Sequence, residues 1–273
     1  MSYKIGFKDN DYKNETVTKK VNTPDITPRK SIVSVRFYSK NRTLSYYNDR
    51  FDLKNGDIVF VEGKFEGVRG VVVEVNYSFK IKLSDYKKVV AVADTNIKGN
   101  LYLADYHFVT FDRSVIPFSK ILGWYKAPAN PEEEIISSDD NCKYSLFDID
   151  ALPASGEIKE RGYDYYMQNR VAYLSLDGEK GNAVVLGTEA YQVDFVYSDG
   201  EISSLTCDCF CNYFCKHQVA VMLQLRDILD TVIKDYGEMY NQSGYFAAIC
   251  RNELLNTAMA FRKRGRLNID CQL

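Results

Sequence analysis

Several common functional signatures are missing from this 273-residue chain. No stretch approaches the length and apolarity of a membrane span, and the opening MSYKIGFKDNDYKNE is charged and polar. Gly63, Gly67 and Gly70 are not followed by the Gly-Lys-Ser/Thr ending of a phosphate-binding loop. Neither a nucleophile elbow nor a dinucleotide fingerprint appears. Tryptophan occurs once and histidine twice. One histidine, His107 in ADYHFVTF, lies on an apparent strand near Asp105 and reads as a packed structural residue. The expectation is a cytoplasmic protein that is not an enzyme and that contacts no membrane.

What is present is an ordinary apolar content of 45%, enough for a buried core, with 21 tyrosines falling largely in strand-like stretches. The net charge of −2 hides an asymmetry. Residues 31–126 carry 15 basic and 10 acidic side chains, whereas residues 152–273 carry 12 basic and 16 acidic ones. A polyanion would therefore favour the front half.

The pattern predicts an α+β chain of two units. Residues 1–30 are polar, lack apolar periodicity and read as a flexible tail. Residues 31–126 hold IVSVRFY, DIVFVEG, GVVVEVN, KKVVAVAD and HFVTFD, short β-branched and aromatic runs that predict a small β-barrel-like domain. Residues 127–151, with APANPEEEIISSDDN, have the composition of an acidic linker. Residues 152–273 then predict one short helix and a four-stranded antiparallel unit with Asp-Gly turns at 177–178 and 199–200. An amphipathic helix follows through Val221, Leu225, Leu229 and Val232, and a last helix spans roughly Ser243 to Arg264.

Between the last strand and the amphipathic helix lies CDCFCNYFCKHQVAVML, in which four cysteines and a histidine fall within eleven residues. In a reducing compartment such a cluster points to metal rather than to disulfides. Cys207 and Cys209 sit two apart on a strand and so share a face. Cys215 and His217 sit two apart as well, which on an ideal helix turns them to opposite sides by about 200°. Both reach one ion only if Cys215 precedes the helix and His217 lies in its first turn. Three thiolates and an imidazole with no open position form a structural Zn2+ set. A rival frame of Cys209, Cys211, Cys215 and His217 leaves three residues for the turn. The isolated Cys142, Cys250 and Cys271 read as incidental thiols.

C-x-C followed by C-x-H at the start of an apolar helix resembles the SWIM zinc finger. RGYDYYMQNRV, VVLGTEAYQVDFVYSDGEI, CDC and CKHQVAVML follow in the order typical of bacterial SWIM proteins, over roughly residues 155–235. The resemblance implies Cys207, Cys209, Cys215 and His217 as the ligands, with an unusually short spacing between the two pairs. It also implies a DNA-binding or protein-interaction module of the kind that accompanies Snf-type remodelling ATPases.

NGDIVFVEGKFEGVRGVVVEV, from Asn55, resembles the KOW element of small SH3-like barrels. Around it, Arg36, Lys40, Arg42, Arg50, Lys64 and Arg69 interleave with Tyr38, Tyr46 and Tyr47. Such interleaving suits a DNA or RNA backbone, with rings available to stack on bases. The competing expectation is an adaptor whose aromatics face the core and whose charges are merely solvated.

Overall fold

The computed structural model describes residues 2–7, 28–129, 136–138, 141–211, 213–259 and 267–272, with side chains excepted at 2–7, 259 and 267–272. The chain is α+β, as its pattern implies, and is built on two antiparallel sheets. No described helix is long and apolar enough to cross a membrane.

The smaller sheet comprises β2 (Ser31–Phe37), β3 (Arg42–Asn48), β4 (Ile58–Val61), β5 (Gly70–Asn76) and β6 (Val89–Val92), in the order β3-β2-β5-β4-β6; β1 (Ser2–Phe7) belongs elsewhere. Alternation in SIVSVRF turns Val33, Val35 and Phe37 inward, where they meet Tyr46, Val59, Val61 and Val72. At Gly70 the strands approach so closely that a Cβ would lie 2.3 Å from a Val35 methyl and 2.9 Å from the Phe37 ring. This glycine makes room for core side chains rather than for a turn. The sheet curls far enough for a single parallel bridge between Tyr47 and Lys88, with Tyr47 N donating to Lys87 O at 2.9 Å. It remains open, which corrects the expectation of a barrel. One bridge between the edge strands does not make a ladder.

The larger sheet has ten strands. They are β1, β7 (Leu101–Ala104), β8 (His107–Thr110), β9 (Lys143–Ser145), β10 (Val171–Asp177), β11 (Lys180–Leu186), β12 (Ala190–Ser198), β13 (Glu201–Cys207), β14 (Tyr245–Cys250) and β15 (Leu267–Gln272). Their order is β15-β1-β7-β8-β14-β10-β11-β12-β13-β9. The four expected strands β10 to β13 are there as a meander, extended on both sides. HFVTF, expected with the front unit, pairs instead with β14 through Val109↔Ala248 and its neighbours. Residues 2–7, expected in a flexible tail, form β1 between β15 and β7. The stretch expected as a linker contributes β9, which pairs with β13. Of the hairpin turns, Asp199–Gly200 has both residues at positive φ, as an Asp-Gly turn requires. At the other, Asp177 stays in register with Lys180 and the turn residues are Gly178 and Glu179, with only Gly178 at positive φ.

Helices cover both faces. On one, α2 (Gly156–Met167) and α3 (Lys216–Ser243) pack over Leu174, Val185, Phe246 and Ala248. On the other, α1 (Phe118–Leu122) and α4 (Arg251–Leu254) enclose Trp124, Tyr173, Ala247 and Ile249. This arrangement explains the second correction. YFAAIC was read as part of a final helix from Ser243 to Arg264, but all six of its residues are buried as β14. A strand covered on both faces shows no alternation, so its apolar run is indistinguishable from a buried helix by period alone. α3 ends at Gly244, left-handed at φ 60°, and the chain turns directly into β14. α4 and a short π-turn, Leu255–Met259, occupy the next residues, while 260–266 lie outside the described set.

Candidate metal centre

β13 delivers Cys207 at its end, opposite Val193 of β12. A bulge between Asp194 and Val196, with Ser204 at φ 47°, re-aims the strand just before it. Asp208 then extends the pairing with its side chain. Its backbone N–H donates to Gln192 O at 3.1 Å, and its carboxylate accepts from Gln192 N at 2.9 Å. The same carboxylate pairs with Lys126, just beyond α1. Cys207 and Cys209 are thereby turned together while Asp208 faces away, as strand alternation requires.

From the other side, Cys215 sits at the N-cap of α3 with extended φ/ψ of −114°/161°, and His217 is the second helical residue. The change of backbone at Cys215 overcomes the angular mismatch that an i, i+2 pair has within a helix. Gln218 fastens the junction: its side-chain oxygen accepts from Cys215 N at 2.8 Å, and its amide donates to Leu205 O on β13 at 2.9 Å. The sequence reading missed Gln218, although C-x-x-Q at a helix start has the form of a capping box and carried the signal.

The result is a cluster in which the donor atoms of Cys207, Cys209, Cys215 and His217 all lie within 4.8 Å of one another. His217 Nδ1 is 3.7 Å from Cys207 Sγ and 3.8 Å from Cys215 Sγ, so Nδ1 is the nitrogen facing the thiols. The imidazole is buried, stacked on Tyr191 with centroids 4.2 Å apart and flanked by Tyr165 at 5.5 Å. Its Nε2 is buried with no hydrogen-bond partner among the described residues. A hydrogen bond from the Cys207 thiol, together with the nearby imidazole, lowers the Cys215 thiol to about 4, whereas donating that bond raises Cys207. Burial pushes Cys209 up to about 11. One thiolate is thus favoured in advance, and metal entry would release protons from the others. Three sulfurs and one nitrogen at this separation fit a tetrahedral metal such as zinc. Cys211 is exposed and outside the cluster, so the set brought together is the one the SWIM resemblance implies, not the rival frame.

Beside the cluster, Phe210 and Tyr213 are 99% and 88% exposed. Large rings left so open are unusual, because such residues ordinarily bury most of their surface.

The basic residues of the front unit do not form one face. Arg36 on β2 donates to Thr43 at 3.4 Å and to Asn41, near the exposed Tyr38 ring. Lys40 and Arg42 flank it, exposed, at the end of the β2–β3 hairpin. Arg50 is exposed, 3.8 Å from Asp49, and Lys64 is exposed beside Phe65. Arg69 departs from expectation. Its guanidinium donates to Thr257 at 3.2 Å and lies 5.3 Å from the centre of the Tyr125 ring, whose hydroxyl donates to Glu253 at 2.8 Å. Burial lowers its pKa. Arg69, just before β5, thus joins the smaller sheet to Tyr125 beyond α1 and to Thr257 in the π-turn, and its guanidinium is already engaged. His107 is a packed strand residue, as expected.

No family model, characterised protein or solved structure matches this chain.

Proposed function

We propose that Cys207, Cys209, Cys215 and His217 bind one Zn2+ as a closed structural site, and that the chain is a non-enzymatic cytoplasmic docking module of the SWIM kind. The observation that carries this reading is the convergence of four soft donors from a strand end and a helix start. Four protein ligands leave the ion no position for water or substrate, so it supplies folding energy rather than Lewis-acid chemistry. The ion would clamp β13 to α3 and hold the loop between them, on which Phe210 and Tyr213 stand clear. Exposed aromatics on a rigid support suit the centre of a protein interface. A Snf-type ATPase is the partner class that the resemblance supplies.

Nucleic acid, in this reading, meets the β2–β3 hairpin, where Arg36 lies beside the exposed Tyr38 ring and Lys40 and Arg42 are exposed nearby in sequence. Positive charge beside an exposed ring can neutralise phosphates and stack a base. The alternative is a purely protein-binding adaptor. Two measurements test these statements. Native mass spectrometry and metal analysis should find one zinc per chain, lost when His217 is replaced by Ala. Binding to labelled DNA and RNA should weaken with salt along a log–log slope of several phosphates, and the slope should fall when Arg36, Lys40 and Arg42 become Gln. Metal-loaded, folded protein that binds neither DNA nor RNA at low salt would leave the adaptor reading.

A further inference from the structure

The C-terminal end of α2, the middle of α3 and the β7–β8 turn enclose a cavity of about 380 Å³ that plays no part in the metal centre. Two of its lining side chains are polar and more than nine-tenths buried. Gln224 is 5% exposed, and its carboxamide has no hydrogen-bond partner among the described residues. His107 is 3% exposed. Its Nε2 approaches Val171 O at 3.5 Å, which leaves Nδ1 as an acceptor. Burial lowers its pKa to about 4, so it stays neutral near pH 7. A carboxamide that lines a cavity and makes no hydrogen bond to a described residue offers its donors and acceptor to whatever occupies that cavity.

The other walls define that molecule. Asp105 and Asp227 only accept hydrogen bonds, and the Asp227 carboxylate already takes one from the Tyr166 hydroxyl. An anionic ligand is therefore disfavoured. A simple cation is not favoured either, because Arg226 already lies 3.4 Å from Asp227 and the Arg251 guanidinium lies 5.8 Å from the Tyr106 ring. Tyr106, 62% exposed at the rim, offers a face for a flat ring. A carboxamide reads a planar donor–acceptor edge with two parallel hydrogen bonds, while a carboxylate accepts from an exocyclic amino group.

The geometry points to a binding site for an uncharged, amino-bearing nucleobase, held edge-on by Gln224, with Asp227 on its amino group and Tyr106 against its face. A volume near the lower end of the roughly 300–1,000 Å³ usual for ligand pockets fits one nucleoside. The base could belong to a free nucleoside or to an unstacked nucleotide of a single strand. The site shares no residue with the metal centre or the basic hairpin.

The test uses the full chain loaded with zinc. Adenosine, inosine, cytidine and uridine are titrated by calorimetry, and mixed-sequence single-stranded oligonucleotides are titrated in parallel, on wild-type protein and on Gln224→Met. Adenosine should bind about tenfold or more tightly than inosine, and cytidine more tightly than uridine, because each pair differs by amino against carbonyl. Gln224→Met should abolish that binding while its Tm stays close to that of wild type, since it exchanges an amide that makes no hydrogen bond to a described residue for an apolar side chain of similar size. If the nucleosides fail but an oligonucleotide binds in a Gln224-dependent way, the base comes from a strand. If neither ligand shows binding sensitive to Gln224→Met, the proposal is wrong.

Discussion

Replacing Gly162 by Ala sets two effects of known size against each other. Gly162 lies inside α2, where alanine ordinarily gains about 1 kcal/mol of helix propensity. But a Cβ at this position would sit 2.5 Å from both the Cβ and a methyl of Val219, and 3.1 Å from the Lys216 carbonyl oxygen. Carbon atoms pack at about 3.5–4.0 Å. The two helices would therefore have to part by roughly 1 Å, a gap that forfeits a quarter to a half of each contact's attraction across the interface. Val219 offers little relief, because it is fully buried and its branched Cβ is stiff in a helix. Overpacking of this sort costs about 1–3 kcal/mol, and with a stiff, fully buried Val219 the upper half of that range applies, so the expected net is a destabilisation of up to about 2 kcal/mol. For a chain of this size that lowers Tm by up to roughly 8 °C. Gly156, at the first turn of the same helix, has nothing within 4 Å of its Cβ position. There the same substitution should stabilise by a few tenths of a kcal/mol, a fraction of the interior propensity gain because Gly156 is the first helical residue after the Ser155 cap. Denaturant titration followed by the fluorescence of the single tryptophan, the fully buried Trp124, reads both. Equal signs for the two variants would refute the claim that close helix approach dictates Gly162.

Other perturbations test other parts. Cys207→Ser should weaken zinc binding by more than the roughly 10–100-fold typical of losing an outer-shell partner, whereas Cys211→Ser should leave it unchanged, as read by chelator competition. His107 resists protonation when folded, so between pH 6.5 and about 4 the unfolded chain binds the extra proton. Stability should fall as pH drops through that window, by about 3 kcal/mol, and the difference between wild type and His107→Gln across a pH series isolates this from the carboxylates. Arg69→Met should destabilise by about 1–3 kcal/mol through loss of the Thr257 and Tyr125 contacts, while Lys40→Gln and Arg42→Gln stay within about 0.5 kcal/mol by denaturant titration.

The Cys/His cluster was legible because its signals are local. Two cysteines on one strand face and a Cys-x-His at a helix start are constrained by spacing alone, and the backbone at Cys215 meets that constraint. The meander from β10 to β13 was legible for the same reason, being alternation punctuated by turns. What failed was long-range. Nothing within HFVTF says that it will pair with β14, some 140 residues further on. Nor does YFAAIC reveal that it will be covered on both faces, which erases its period. Arg69 looked like its basic neighbours because the partners that take it inward, Tyr125, Glu253 and Thr257, come from other parts of the chain. Ser2–Phe7 carried the same difficulty, since its two pairing strands lie about 100 and 265 residues away.

Helix α3 carries both His217 and Gln224. They stand seven residues apart, about 10 Å along the axis, and Val219, the residue packed on Gly162, lies between them. Removing the metal would take away the clamp on the first turn and leave repelling thiolates there, so the α2–α3 contact that also walls the cavity would loosen. A base bound between α2 and α3 needs that contact in place, so metal and base would favour the same arrangement of one helix. Linkage then requires that each raise the other's affinity by the same factor. Titrating adenosine into zinc-loaded and zinc-free protein gives that factor from one side, and titrating zinc against a chelator with and without adenosine gives it from the other. A factor above one would show that the two sites are coupled, and a change of that factor in the Gly162→Ala variant would place the coupling in the α2–α3 contact. A factor of one in both directions would mean that the first turn of α3 holds its place without the ion, and the clamp would then serve only the exposed Phe210–Tyr213 loop.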